Sequence, residues 1–140
     1  MIEIESRELA DIPVLHAYPV GQKDTPLPCV IFYHGFTSSS LVYSYFAVAL
    51  AQAGLRVIMP DAPDHGSRFS SDEARRLNQF WQILLQSMQE FTTLRAAIAE
   101  ENWLLDDRLA VGGASMGAMT ALGITARHPT VKCTASMMGS

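Results

Sequence analysis

The strongest constraint on the fold is a short segment between a predicted strand and a predicted helix. Residues 113–117 read Gly-Ala-Ser-Met-Gly, a G-x-S-x-G pattern. The apolar residues 109–111 before it predict a short strand, and residues 116–127, rich in Ala and Gly, predict a helix that packs closely on a sheet. A sharp turn between the two lifts the Ser115 hydroxyl above the sheet at a helix N-terminus, where the helix dipole favours negative charge.

Strands and helices alternate along the rest of the chain, which predicts an α/β fold with a mostly parallel sheet and helices on both faces. The predicted strands are residues 2–5 and 14–18 (paired antiparallel), 29–33, 55–59, 109–111 and 131–137. A helix is predicted between a cap at residues 38–40 and a stop at Gly54, and a long one opens at residues 71–73. The apolar stripe of the long helix is Leu77, Phe80, Trp81, Leu84, Met88, Phe91, Leu94 and Ile98.

Composition narrows the class of protein. A chain of 140 residues that is 49% hydrophobic and 17% charged fits a single globular domain with its own core. The net charge of −4 and the lack of a basic stripe argue against a nucleic-acid partner. No apolar run predicts a membrane span, and the N-terminus lacks signal-peptide features. We therefore expect a cytoplasmic protein in which Cys29 and Cys133 are buried thiols.

A second chemical feature follows the strand at residues 29–33. His34, Gly35 and Phe36 lie where the chain leaves that strand. The carboxyl ends of parallel strands meet at one edge of a sheet, so the backbone N–H of Phe36 is expected near Ser115. With the N–H of Met116 it would supply two donors to an oxyanion.

Three segments in this order resemble the α/β-hydrolase family: residues 33–36 (Tyr-His-Gly-Phe), 61–66 (Asp-Ala-Pro-Asp-His-Gly) and 113–117. The resemblance implies the α/β-hydrolase fold, here truncated after about six of about eight strands. It also implies a serine hydrolase that cleaves small carboxylic esters, as a carboxylesterase does, through an acyl-enzyme and without a cofactor.

Carried over residue by residue, the resemblance assigns Ser115 as the nucleophile and the N–H groups of Phe36 and Met116 as the oxyanion hole. Gly113 and Gly117 would permit the sharp turn. His34 and Gly35 would support the oxyanion loop, with His34 orienting that loop by hydrogen bonds.

The family places its acid and then its histidine after the serine. No Asp or Glu follows Ser115, and the one later histidine, His128, would lie roughly 18 Å away at the far end of a helix. We therefore expect residues 1–140 to be the N-terminal part of such a domain, nearly inactive alone. His16 is expected at the surface and His65 in a polar turn at the edge of the site. A surrogate base from His34 or His65 remains an alternative.

Two other functions stay open. The glycine-rich turn at residues 112–117 could bind a nucleotide, although its spacing is not G-x-G-x-x-G. The chain could also be a non-catalytic fragment, and a last strand at 131–137 would then be an apolar edge prone to self-association. Asp61, Asp64 and His65 are interpreted as a polar loop rather than a metal site, because no further ligands stand at suitable spacing.

Overall fold

The computed structural model describes the backbone of residues 1–137 and the side chains as far as Lys132. Its strands are β1 (Ile2–Leu9), β2 (Ile12–Pro19), β3 (Leu27–Tyr33), β4 (Arg56–Pro60), β5 (Leu104–Ala114) and β6 (Lys132–Met137). Its helices are α1 (Ser44–Gln52), α2 (Glu73–Leu77), α3 (Phe80–Glu100) and α4 (Met116–Arg127), with a 3₁₀ turn at Gly66–Arg68. Each strand predicted from the sequence overlaps one of these six.

Within residues 1–137 the strands form one six-stranded sheet in the order β1-β2-β4-β3-β5-β6. β3 pairs in parallel with β4 and β5, and β5 pairs in parallel with β6. β1 and β2 are antiparallel to each other, as predicted, and β2 is also antiparallel to β4. The parallel part of the sheet therefore brings the carboxyl ends of β3, β4 and β5 to one edge.

Helices cover both faces of the sheet, because successive strand side chains point to opposite sides. On one face, Phe32, Val57 and Met59 pack against Ala47 and Ala51 of α1. On the other face, α3 and α4 pack on the sheet; the buried residues of that cluster include Ile31, Ile58, Val111, Phe91, Leu94, Ile98, Ala121 and Ile124. The predicted α/β-hydrolase architecture is confirmed.

The first helix starts later than predicted, and the long helix starts at Glu73 as predicted but is interrupted. α1 begins at Ser44 rather than after the serine cap, because the Ser40 N–H donates to the Asp61 carboxylate at 3.0 Å and holds that stretch as a turn. The long helix is two helices, α2 and α3, which are separated at residues 78–79. As a result Leu77 and Trp81, predicted in the buried stripe, are 60% and 61% exposed.

The prediction for His16 is wrong: its side chain is fully buried between β1 and β4. The Arg56 guanidinium, which can only donate, lies 2.8 Å from His16 Nε2, so Nδ1 carries the proton and donates to Glu5 at 2.7 Å. The His16 ring stacks on Trp103 at 4.3 Å, and Arg56 lies 4.8 Å from the Trp103 ring. We call Glu5, His16, Arg56 and Trp103 the Arg56 cluster.

The remaining predictions about the sheet have mixed outcomes. β5 is longer than predicted and shifts its register against β3 between Leu27 and Cys29. Cys29 is a buried free thiol, as expected, whereas the side chain of Cys133 lies outside the described part of the chain. β6 is one of the two edge strands of the described sheet, with β1 at the other edge, and self-association through β6 stays a prediction.

Candidate active site

Ser115 sits in a strained turn between β5 and α4. Its backbone has φ 56° and ψ −116°, a combination that residues other than glycine rarely adopt. This conformation costs on the order of 1–3 kcal/mol. Serine at a helix N-cap normally caps the helix, yet this side chain makes no capping hydrogen bond. Ser115 is half-buried while its neighbours from Val111 to Ala118 are buried. The turn thus presents a hydroxyl that has no hydrogen-bond partner among the residues described.

Two glycines let the backbone close around this turn. A Cβ on Gly117 would overlap the Tyr33 carbonyl oxygen and approach the His34 carbonyl oxygen to 2.7 Å. A Cβ on Gly113 would overlap the backbone of Gly117. Because both obstacles are backbone atoms that cannot rotate away, no side chain fits at either position. The start of α4 is therefore pressed against the end of β3.

The loop after β3 lies directly beside Ser115. The position that a Cβ would take on Gly35 is 3.5 Å from the Ser115 Cβ. The N–H groups that follow in this loop are already used, since Thr37 N–H donates to His65 Nε2 at 2.8 Å and Ser38 N–H donates to the Gly35 carbonyl at 3.1 Å. Among residues 1–137, the Phe36 N–H has no such acceptor.

His34 fixes this loop from below. Its Nε2 accepts the Ala62 N–H at 3.0 Å, so Nδ1 carries the proton and donates to the Gly35 carbonyl at 2.8 Å. Burial lowers the pKa of His34 to about 4, so the ring is neutral near pH 7. Because Nε2 already accepts a backbone N–H, His34 is poorly placed to take a proton from Ser115.

His65 has the same arrangement and is more deeply built in than the sequence indicated. The ring is fully buried, 5.2 Å from the His34 ring and 5.4 Å from the Phe36 ring. Nε2 accepts the Thr37 N–H, and Nδ1–H donates to the Pro63 carbonyl at 2.9 Å. Burial lowers its pKa as well. His65 is in a turn after β4, as predicted, since its N–H donates to the Ala62 carbonyl at 3.1 Å, but its ring is buried and supports the loop after β3.

Asp61 is a structural member of the site that sequence reasoning missed. Its carboxylate accepts the Ser40 N–H at 3.0 Å and the Ser67 hydroxyl at 3.1 Å. It thereby joins the segment before α1 to the loop after β4. A side chain on Gly66 would collide with this carboxylate. The available signal was its place at the carboxyl end of β4, next to β3.

Aromatic and aliphatic side chains form one wall beside the turn. Phe36 meets Phe80 edge to face at 4.9 Å, and Phe80 meets Trp81 at 5.0 Å. Met116 and Phe36 belong to the same apolar cluster as Ile83 and Leu84 at the start of α3.

His128 lies at the far end of α4, as predicted. It is the residue that ends the helix, its N–H donates to the Ile124 carbonyl at 2.9 Å, and its ring packs 5.0 Å from Phe91. The whole of α4 separates it from Ser115. Among the side chains that the structure describes, residues 1–132, no group of three His, Cys, Asp or Glu could hold a metal ion.

A comparison with protein families shows the family to which the chain belongs. The Hydrolase_4 model, described as serine aminopeptidase, S33, matches residues 24–139. The chain belongs to this family. Family membership favours a hydrolase over the nucleotide-binding alternative, because the glycine-rich turn falls inside the matched region.

None of the helices in residues 1–137 combines the length and the apolar character needed to span a bilayer.

A comparison with a curated protein is consistent with this family. The chain is 98% identical to Esterase YjfP of Escherichia coli (strain K12) over 140 residues, which is 100% of this chain and 56% of YjfP. It therefore spans little more than half the length of that relative.

Solved structures show the same fold. A dienelactone hydrolase from Anabaena variabilis superposes with a TM-score of 0.69 at 21% identity, over 96% of this chain and 61% of that one. A cold-adapted esterase from an Arctic intertidal metagenomic library superposes with a TM-score of 0.68 at 22% identity, over 93% of this chain and 57% of that one. At these identities the likeness concerns the fold alone.

Proposed function

We propose that the chain carries the nucleophile and the oxyanion hole of a serine esterase. The observation that carries the proposal is the strained backbone of Ser115, whose hydroxyl caps nothing and lies beside the Gly35 loop. Strain of this kind persists only where the surrounding structure enforces it, and it is common at active sites. The name of YjfP supports an ester as the substrate class.

The reaction proceeds in two balanced steps. The Ser115 oxygen adds to the ester carbonyl carbon, the bond to the alcohol oxygen breaks, and the alcohol leaves with the proton that the serine loses. Water then attacks the acyl-serine, which releases the carboxylic acid and restores the hydroxyl.

Charge that develops on the carbonyl oxygen is stabilised at the N-terminus of α4. Met116 is the first residue of the helix, so its N–H has no intrahelical acceptor. Together with the Phe36 N–H it forms the oxyanion hole of the proposal. One such donor is typically worth about 2.7–4 kcal/mol in the transition state.

Residues 1–140 are proposed to be one domain, the N-terminal part of the esterase, with slow turnover by themselves. Of the four histidines, His34 and His65 accept backbone N–H groups, His16 is buried at the other end of the sheet, and His128 closes α4. None is free to take the serine proton. The acid and base of the family would come from later strands. Loss of the base typically lowers turnover by about 10⁴–10⁶.

Cellular context is part of the proposal. A small-molecule ester is the expected partner and the cytoplasm the expected location, with no cofactor involved. The raised pKa of the buried Cys29 thiol, about 12 because of burial, keeps it protonated and unreactive in such a setting.

Hydrolysis of a short p-nitrophenyl ester by the 140-residue chain tests the proposal. We expect slow turnover that Ser115→Ala removes. An unchanged rate in Ser115→Ala would overturn the role of the serine. A rate typical of a complete esterase, lost in Ser115→Ala, would overturn only the statement that this chain is slow.

A further inference from the structure

Tyr43 carries a side-chain hydroxyl beside Gly35 that the proposed mechanism has not used. It is the residue that precedes α1, and its ring is half-buried. The ring packs 6.4 Å from Phe32 and 6.0 Å from Phe46, which are members of the core cluster under α1 or packed against it. These contacts hold the ring against the cluster under α1.

The hydroxyl faces the space beside Ser115. The position of a Cβ on Gly35 is 3.0 Å from the Tyr43 hydroxyl and 3.5 Å from the Ser115 Cβ. This position on the residue before Phe36 is therefore in contact with the Tyr43 hydroxyl, the Ser115 Cβ and, at 3.5 Å, the Ala114 carbonyl oxygen. A side chain at position 35 would press on the phenol, which gives Gly35 a role beyond backbone flexibility.

The chemistry of the hydroxyl fits a bound oxygen atom. A phenol O–H donates one hydrogen bond, and none of the hydrogen bonds between the described residues uses the Tyr43 hydroxyl. Packing against Phe32 and Phe46 would be served equally well by phenylalanine. The polar atom is therefore not explained by the fold of this part of the chain.

We propose that the Tyr43 hydroxyl donates a third hydrogen bond to the substrate carbonyl oxygen as it becomes negatively charged. This inference rests on the proposed function and adds a side-chain donor to the two backbone donors. A third donor is useful here because Ser115 lies at a partly open edge, where water competes for the oxyanion. Its loss should act on the transition state more than on substrate binding.

The test compares Tyr43→Phe with Tyr45→Phe. Both changes remove one phenolic hydroxyl from neighbouring positions, but Tyr45 is 59% exposed and does not reach the Gly35 loop. The first readout is the second-order rate at which an alkyl fluorophosphonate labels Ser115. In that reaction the serine oxygen bonds to phosphorus, fluoride leaves, and the serine proton passes to water.

We expect Tyr43→Phe to lower the labelling rate by about 10-fold to 100-fold, somewhat less than the loss of a backbone donor. Tyr45→Phe should stay within about twofold of the wild type. With a p-nitrophenyl ester, Tyr43→Phe should lower kcat by a similar factor and leave KM within about twofold. Both variants should melt at the wild-type temperature.

Equal labelling rates in the two variants would overturn the role of Tyr43. So would a loss that only follows a lower folded fraction in Tyr43→Phe, as measured by circular dichroism at the assay temperature. Ser115→Ala separates this failure from failure of the proposed function. If the probe labels Ser115→Ala as fast as the wild type, or labels neither, the proposed function fails and the Tyr43 inference fails with it.

Discussion

The two ends of the parallel strands use buried histidines in different ways. At the carboxyl ends, His34 and His65 accept backbone N–H groups and hold two loops, while the Ser115 hydroxyl and the Phe36 N–H have no hydrogen-bond partner among the described residues. At the opposite end, the Arg56 cluster directs its groups inward: the guanidinium donates to His16 and to the carbonyl oxygens of Gln22, Lys23 and Thr25. At the carboxyl ends, polar groups are left available for the proposed substrate. At the opposite end, the polar groups form hydrogen bonds within the chain.

The difference shows that residues important for stability and residues important for the reaction lie at opposite ends of this sheet. The Arg56 cluster ties the loop before β3 to the sheet and has no strained residue at its centre. The Ser115 end carries the strain and depends on tight backbone contacts to keep it. Changes at the two ends should therefore have different consequences for stability and for reactivity.

The largest effect is expected from Gly117→Ala. The added methyl would overlap the Tyr33 carbonyl oxygen, so β3 and α4 would have to separate. We expect a loss of about 3 kcal/mol or more in the free energy of unfolding, measured by urea denaturation. Gly123→Ala is the matched control in α4, because its methyl would meet only the flexible end of Met88. Equal losses in the two variants would refute the close contact at Gly117.

Arg56→Met should cost about 3 kcal/mol in unfolding free energy. It leaves His16 Nε2 and the loop carbonyl oxygens without their donor in a buried place. Arg7→Met is the control, because Arg7 also lies over Trp103 but forms only surface ion pairs, each worth less than about 1 kcal/mol. The remaining folded Arg56→Met protein should still label at Ser115. A loss of labelling without unfolding would contradict the statement that the Arg56 cluster affects stability and not the reactivity of Ser115.

Lower pH should destabilise the chain through histidines at both ends. Burial, together with the Arg56 charge, lowers the pKa of His16 to about 4 despite its bond to Glu5, and burial lowers that of His34 to about 4. Unfolded histidines titrate near 6.5, so the unfolded chain binds more protons between pH 6.5 and 4. Stability is thus present above pH 6.5 and should fall by about 2 kcal/mol per histidine at pH 5.

Urea denaturation at pH 7.5 and pH 5 measures this loss. His16→Gln should show a smaller loss between the two pH values than the wild-type chain. Stability that is equal or greater at pH 5 would contradict the neutral, buried state of these rings.

The smallest effect is expected from His128→Gln. His128 contacts Phe91 at the end of α4, so the change should cost less than about 1 kcal/mol. The labelling rate of Ser115 should stay within about twofold of the wild type, because the full length of α4 separates the two residues. A large loss of labelling at unchanged stability would assign His128 a chemical role that the geometry denies it.

The sequence was sufficient to predict those parts of the molecule that depend on local pattern. Apolar runs and glycine positions predicted the sheet, α4 and the turn at Ser115, because strand burial and the G-x-S-x-G turn are written into neighbouring residues. The helix over residues 71–98 was wrong in detail, since the break at 78–79 lets Phe80 pack on Phe36, a contact between distant segments.

The burial of His16, His65 and Asp61 could not be predicted from the sequence either, because it depends on contacts between distant segments. His16 looks like a surface residue in an alternating strand, and its burial depends on the approach of Arg56 from β4 and of Trp103, which are distant in sequence. His65 and Asp61 follow β4 in a stretch that reads as a polar loop. Their hydrogen bonds to residues 37 and 40 depend on β3 and β4 being neighbours in parallel.

The central claim is that the strained turn makes Ser115 the reactive group of this chain. The direct measurement is to treat the folded 140-residue chain with a fluorophosphonate and to locate the adduct by peptide mass spectrometry. The account predicts a single modified peptide with the label on Ser115, and no such adduct after prior unfolding in urea. Label on a different serine, or equal labelling of the unfolded chain, would contradict it.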